Sequence, residues 1–177
     1  MNRTEIEVKL GRDRAWLLET LAAMPPEQLD RPATPSEHDP ATMWSLKDHF
    51  VHLALIEHNF NAMVRKFVAG DANPVALRTK ADGSERTTAE VMAMVHAMTE
   101  EWKRKHEGKS FDELVAVGQR ARAETLQLLS ELTDEQLAAR LPGAPWADGT
   151  VGGVLAANAD HGRMHYKWAK DGLDAEG

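Results

Sequence analysis

The sequence predicts an all-α protein, a bundle of four main helices with one shorter additional helix. Three observations lead there. Apolar residues recur at alternating spacings of three and four over long segments, the period of an amphipathic helix. Several of those segments open on Ser or Thr with Glu or Gln three positions on, or stop at Gly or Pro, so their ends are marked. No alternation long enough for a sheet is present, and no internal repeat. Helices of this kind bury their stripes best against one another, which gives a bundle rather than a mixed fold.

The first helix runs from Thr4 to about Ala23 on Ile6, Leu10, Leu17 and Leu21, and Pro25-Pro26 stops it. From Pro25 to Pro40 the chain turns to proline, Ser, Thr and acidic residues. One helical turn at Pro26 to Leu29 and then a surface loop are expected, with no strand. The second helix opens at Ser45, whose hydroxyl caps the amide near Asp48, and runs to Ala69 before Gly70. Leu46, Phe50, Leu53, Ile56, Phe60, Met63, Val64 and Phe67 give it a broad apolar face. Residues 71 to 87, with Pro74 and Asp82-Gly83-Ser84, read as a long loop.

Thr87 with Glu90 opens the shorter helix, which carries Val91, Met94, Val95, Met98 and Trp102 to about His106 before Gly108. Ser110 with Glu113 opens the next, through Leu114, Val117, Ala121, Leu128 and Leu132, and Thr133 with Gln136 starts one more turn. Leu141 to Gly149 is a connection. The last helix has Thr150 as N-cap and Gly172 as its C′ residue, with Lys167 and Lys170 complementing the dipole in its final turns.

That last helix holds the chemistry. Val151, Val154, Asn158, His161, His165 and Trp168 share one face, and three of the six are polar. His161 and His165 stand one turn apart, about 6 Å along the axis, so both imidazoles reach a common point. Two ligands are too few for a metal, and an open catalytic site takes three protein ligands. A hydrogen-bonded pair inside a bundle is the plainer account of the two rings. The third ligand must come from another helix, and the second helix offers Asp48, His49, His52 and His58. Spacing favours His49, which lies in the unbroken stripe Leu46, His49, Leu53, Ile56, Phe60, Met63, Phe67, with His52 at its edge. Asp48 serves either as ligand, as an orienting carboxylate, or as a helix N-terminal charge. His58 reads as a solvated residue, and His38, His96 and His106 as loop or surface residues. Asn158 either orients a substrate or fixes helix register. Arg163 and Lys167 are candidates to meet a carboxylate, and Trp146 and Trp168 to wall the cavity, although surface charge and core packing account for them as well.

Composition narrows the function. The 177 residues are 42% hydrophobic and 28% charged, the balance of one ordinary folded domain spanning 1–177. A net charge of -7 argues against nucleic-acid binding. The chain has no cysteine, which removes thiolate catalysis and Cys-ligated zinc, so a metal is held by His and carboxylate and any reactive thiol comes from another molecule. With no apolar run near 18 residues and no N-terminal apolar h-region, the expectation is a cytoplasmic protein without a membrane role.

Trp44-Ser45-Leu46-Lys47-Asp48-His49-Phe50-Val51-His52-Leu53, followed by Gly149-Thr150-Val151-Gly152, Ala156-Ala157-Asn158 and His161-x-x-x-His165, resembles the DinB/YfiT-like superfamily over nearly the whole chain. In that family a Trp-Ser pair opens the second helix, a His eight residues after the Trp binds metal, and a His-x-x-x-His pair completes the site. The resemblance therefore implies His52, His161 and His165 as metal ligands on a four-helix DinB-like bundle, overruling the stripe, with His49 in reserve. It also implies Ni²⁺ or Zn²⁺ and a homodimer. The additional 88 to 106 helix is shared by some members, and Tyr166 follows the second His where many members differ. Members include transferases and isomerases that use low-molecular-weight thiols, metal-dependent hydrolases, and proteins with no established activity. Two functions are carried forward on that basis: a metal-dependent transferase, isomerase or hydrolase acting on a small molecule, and a non-catalytic binding or sequestering protein of stress-related type.

Overall fold

A computed structural model describes residues 1–36 and 40–175. Four long helices form the bundle: α1 (Arg3–Ala22), α3 (Leu46–Val68), α5 (Phe111–Glu131) and α7 (Val151–Ala175). Between them run the short α2 (Pro26–Asp30) and α6 (Asp134–Ala138), and the additional α4 (Thr88–His106) lies against α3. α3 is the central element, packed on α5 and on α7, while α1 completes the bundle against α7.

Local sequence accounts for the ends of these helices. Capping boxes close at Asn2 with Glu5, Ser45 with Asp48, Thr87 with Glu90, Ser110 with Glu113 and Thr133 with Gln136. In each, one side chain accepts from an amide of the first turn while its partner reaches back. The backbone and hydroxyl groups of Thr87 and Ser110 donate to Glu90 and Glu113, which holds those carboxyls below their usual range. Thr150 accepts from the Gly153 amide at 3.0 Å and so caps α7 as the sequence predicts.

Two expectations fail together. A two-stranded antiparallel sheet is present where no strand was expected: β1 (Pro32–Pro35) pairs with β2 (Met43–Ser45), Thr34 opposite Trp44. And Gly172 does not end the last helix, which continues to Ala175. The causes are linked. β1 lies along α7, and a Cβ on Gly172 would sit 1.9 Å from the Ala33 carbonyl oxygen. Gly172 is there so that a strand can cross the helix, not to turn the chain. A strand of three or four residues held by such contact has too few positions to show alternation.

The core is divided into two apolar halves. Ile6, Leu10, Phe60, Val64, Leu128, Leu129, Val154 and Leu155 belong to one; Leu17, Leu21, Leu46, Phe50, Leu53, Leu114, Val117 and Leu173 belong to the other. Between them lies a buried polar layer centred on Glu57, which is 2% exposed. One carboxylate oxygen accepts from Arg122 and from Thr125 Oγ1 at 2.9 Å, the other from Arg14 at 3.0 Å and from Asn158 Nδ2 at 3.2 Å. These residues come from all four long helices. Gly118 makes room for Arg14, whose Nη1 would meet an added Cβ at 2.5 Å. No described helix is long and apolar enough to cross a membrane.

Candidate metal centre

α3 and α7 pack along their length, and each sends imidazoles into the seam next to the β1–β2 hairpin. His52 and His165 are buried, His161 half-buried, and one ring nitrogen from each lies within 4.8 Å of the others. His161 and His165 stand one turn apart on α7, as their spacing requires, with Nε2 atoms 2.8 Å apart. Donors on a tetrahedral ion with bonds of about 2.0–2.1 Å stand about 3.3 Å from each other, so small side-chain rotations take this cluster to ligand geometry. The donor set is three imidazoles, which suits a borderline divalent ion. It fits the group the sequence pattern implies.

His49, the residue that spacing alone favours, is 2% exposed and sits behind the cluster. Its Nδ1 lies 2.8 Å from His165 Nδ1, and its Nε2 lies 2.8 Å from Thr34 Oγ1 on β1. Burial pushes this imidazole down to about 4, so the ring is neutral at ordinary pH. Asp48 is turned away. Its Oδ2 accepts from the Ser45 amide at 2.8 Å and from the Ser45 hydroxyl at 2.9 Å, which commits it to the helix cap.

Trp44 of β2, 1% exposed, covers the cluster, its ring centroid 5.2 Å from His52 and 6.3 Å from His165, stacked on the latter. Its indole N–H donates to Glu100 of α4 at 3.0 Å, which ties the additional helix to the roof of the site. Trp168 packs on His49 at 5.3 Å. Trp146 does not wall the site: it packs on Phe60 at 5.1 Å in the other half of the core.

The remaining polar candidates have structural partners. Asn158 donates to the Leu53 carbonyl at 3.3 Å and to Glu57, so it joins the polar layer rather than the histidines. Arg163 pairs with buried Asp13 and lies 4.3 Å over the Trp16 ring, and Lys167 pairs with Asp171 on the surface. His58 is part-exposed against Glu124 at 2.9 Å, and His96 is half-buried. His106, expected at the surface, is buried at the end of α4 against Trp102, whose carbonyl accepts from its Nδ1 at 2.9 Å. His38 lies outside the described residues. A groove of about 450 Å³ on the α4 and α5 flank of α3, with Trp102, Lys105 and Arg120 in its walls, is separate from the histidine cluster.

A DinB superfamily model matches residues 9–169. The chain belongs to the DinB superfamily. Its bundle is similar to the crystal structure of an uncharacterised protein from Escherichia coli UTI89, at 22% identity over 96% of this chain and 94% of that one, with a TM-score of 0.60. That likeness speaks for the fold. No curated protein matches the chain. Within the DinB bundle, the feature that sequence reasoning passed over is Thr34, a buried hydroxyl on a strand too short to announce itself.

Proposed function

We propose that this DinB protein binds a divalent metal ion, Ni²⁺ or Zn²⁺, through His52, His161 and His165, and acts on a small molecule as a metal-dependent enzyme of the thiol-dependent transferase or isomerase type or the hydrolase type. The observation that carries the reading is the convergence of three ring nitrogens within 4.8 Å, two of them on buried residues. Imidazole is the commonest metal ligand, and neutral rings gathered this closely present lone pairs that a shared cation can take up.

A divalent ion in such a site supplies Lewis acidity that activates a water or an exogenous low-molecular-weight thiol. The chain's own residues do the rest. His161, half-buried, sits on the outward side of the cluster, where a substrate arrives. Trp44 covers the cluster and lowers the local dielectric, strengthening charge interactions there. The absence of cysteine from the whole chain makes the thiol, where one takes part, a cosubstrate.

Untagged protein is expected to carry near-stoichiometric divalent metal by elemental analysis, and His161→Ala to lose it. A panel of low-molecular-weight thiols with electrophilic cosubstrates, run beside simple ester and amide substrates, then reads turnover. Metal-loaded protein inert across that panel counts against the enzyme.

The second reading is a non-catalytic binding or sequestering protein on the same bundle. It is favoured by Glu57: this buried carboxylate lies five residues beyond His52, and all its acceptor capacity goes to Arg14, Arg122, Thr125 and Asn158. It is not offered as a general base. Ligand-induced thermal stabilisation without chemical change supports this alternative. We take the whole chain as one domain that works as a homodimer in the cytoplasm, and light scattering in solution tests the dimer.

A further inference from the structure

The histidine cluster continues inward as a chain of close polar contacts. From His161 Nε2 it passes to His165 Nε2 at 2.8 Å, from His165 Nδ1 to His49 Nδ1 at 2.8 Å, and from His49 Nε2 to Thr34 Oγ1 at 2.8 Å. A neutral imidazole has one N–H and one lone pair, so protons along such a chain must all point one way. Pointing toward the cluster, His165 carries its proton on Nε2 and has no lone pair there to give a metal. Pointing toward Thr34, His165 Nε2 is bare and accepts from His161 Nε2–H, His165 Nδ1–H donates to His49 Nδ1, and the His49 Nε2–H donates to the threonine hydroxyl. An ion on both Nε2 atoms then needs only the half-buried His161 to carry its proton on Nδ1 instead. Thr34 can end the chain in either sense, because a hydroxyl donates and accepts.

We propose that His49, backed by Thr34, is a positioning residue that selects the metal-competent tautomer of His165. The proposal rests on the metal-binding reading above. His49 accepts the proton that His165 must hold on Nδ1, and Thr34 takes the His49 N–H that this arrangement creates. His165 and His49 are 1% and 2% exposed, so water is poorly placed to substitute for either partner. Removing His49 takes away the acceptor that favours the Nδ1–H form of His165, which makes the penalty one of metal affinity as well as of folding.

The hairpin is part of the device. Thr34 reaches His49 because β1 runs against α7, and β1 runs there because Gly172 has no side chain to collide with the Ala33 carbonyl. The bulge-like irregularity between Pro32 and Thr34 sets Thr34 opposite Trp44, so one strand pair presents the hydroxyl and the aromatic roof to the same cluster.

The experiment measures Co²⁺ and Ni²⁺ affinity by competition with a chromophoric chelator, on full-length metal-stripped protein, with its melting temperature recorded in parallel. His49→Leu is expected to weaken binding by about 10 to 100-fold. His49→Asn, whose amide oxygen replaces the Nδ1 acceptor, is expected to recover most of that loss although it fills the space less well than leucine. Thr34→Val, close in shape and lacking only the hydroxyl, should weaken binding several-fold, and Thr34→Ser should restore it. Should His49→Leu fail to fold, the threonine pair carries the test. Wild-type affinity in both His49→Leu and Thr34→Val overturns the positioning role while leaving the three-histidine site intact. Equal losses in His49→Leu and His49→Asn overturn it too, assigning His49 to packing. Wild-type protein that binds no tighter than His161→Ala overturns the metal reading itself and this proposal with it.

Discussion

Replacing Glu57 with glutamine removes a charge that two guanidinium groups share. The carboxylate is 2% exposed, and the side chains of Arg14 and Arg122 are each 13% exposed, so all three lie largely out of water. Burial, and then the neighbouring Arg122 charge, draws the Arg14 guanidinium below its usual range, while Glu57 opposes both. Taking one member from a buried ion cluster costs about 3–5 kcal/mol, mostly the penalty on the charge left behind. Glutamine still accepts one hydrogen bond, which puts this variant near the lower end, about 3 kcal/mol. A domain of this size shifts by about 2–4 °C per kcal/mol, so the melting temperature should fall by about 6–12 °C. Differential scanning calorimetry and a denaturant titration on metal-free protein read the change. A combined Glu57→Leu, Arg14→Met, Arg122→Met variant, which leaves no charge in the layer, should recover most of the loss. A Glu57→Gln protein melting within about 2 °C of wild type would refute the reasoning, because the two arginines would then be satisfied without the carboxylate.

Three further outcomes follow from the same packing. Gly172→Ala should destabilise by about 1–3 kcal/mol, since its Cβ must displace the Ala33 carbonyl, whereas Gly11→Ala, with nothing within 4 Å, should stabilise by up to about 1 kcal/mol; equal effects by calorimetry would show that β1 does not press on α7. Burial works to raise the Asp13 carboxyl, but hydrogen bonds and charge from Arg12 and Arg163 outweigh it and hold it below its ordinary value. Its contribution is therefore complete above the unfolded value of about 4 and is lost as pH falls through the lower folded value, so acid titration of stability should show a flatter slope in Asp13→Asn. Zinc in excess should raise the melting temperature of stripped wild-type protein, and a chelator should reverse the rise; a His52→Ala, His161→Ala double variant should show neither response.

Most of the helical frame was legible because its signals are local. Ser45 with Asp48, Thr87 with Glu90 and Ser110 with Glu113 mark their helices within four residues, and the structure keeps each of those starts. The hairpin was not legible, because what holds β1 in place is α7, about 140 residues further along, and the single trace of that contact in the sequence is a glycine that equally well suggests a helix end. The choice between His49 and His52 shows the same limit at the site. Both are buried on α3, three residues apart, and periodicity can say that each faces inward but not which neighbour it meets. The neighbour decides. His52 looks onto α7 beside His161 and His165, whereas His49 lies beneath the hairpin and is claimed by Thr34 on one side and His165 on the other. The family pattern separated them only because it carries that tertiary information in the distance from Trp44 to His52. The stripe reading of His49 was right about its burial, and the structure sets it between His165 and Thr34. A histidine buried beside the proposed ligand pair, with a hydroxyl behind it, has the geometry of a support for them.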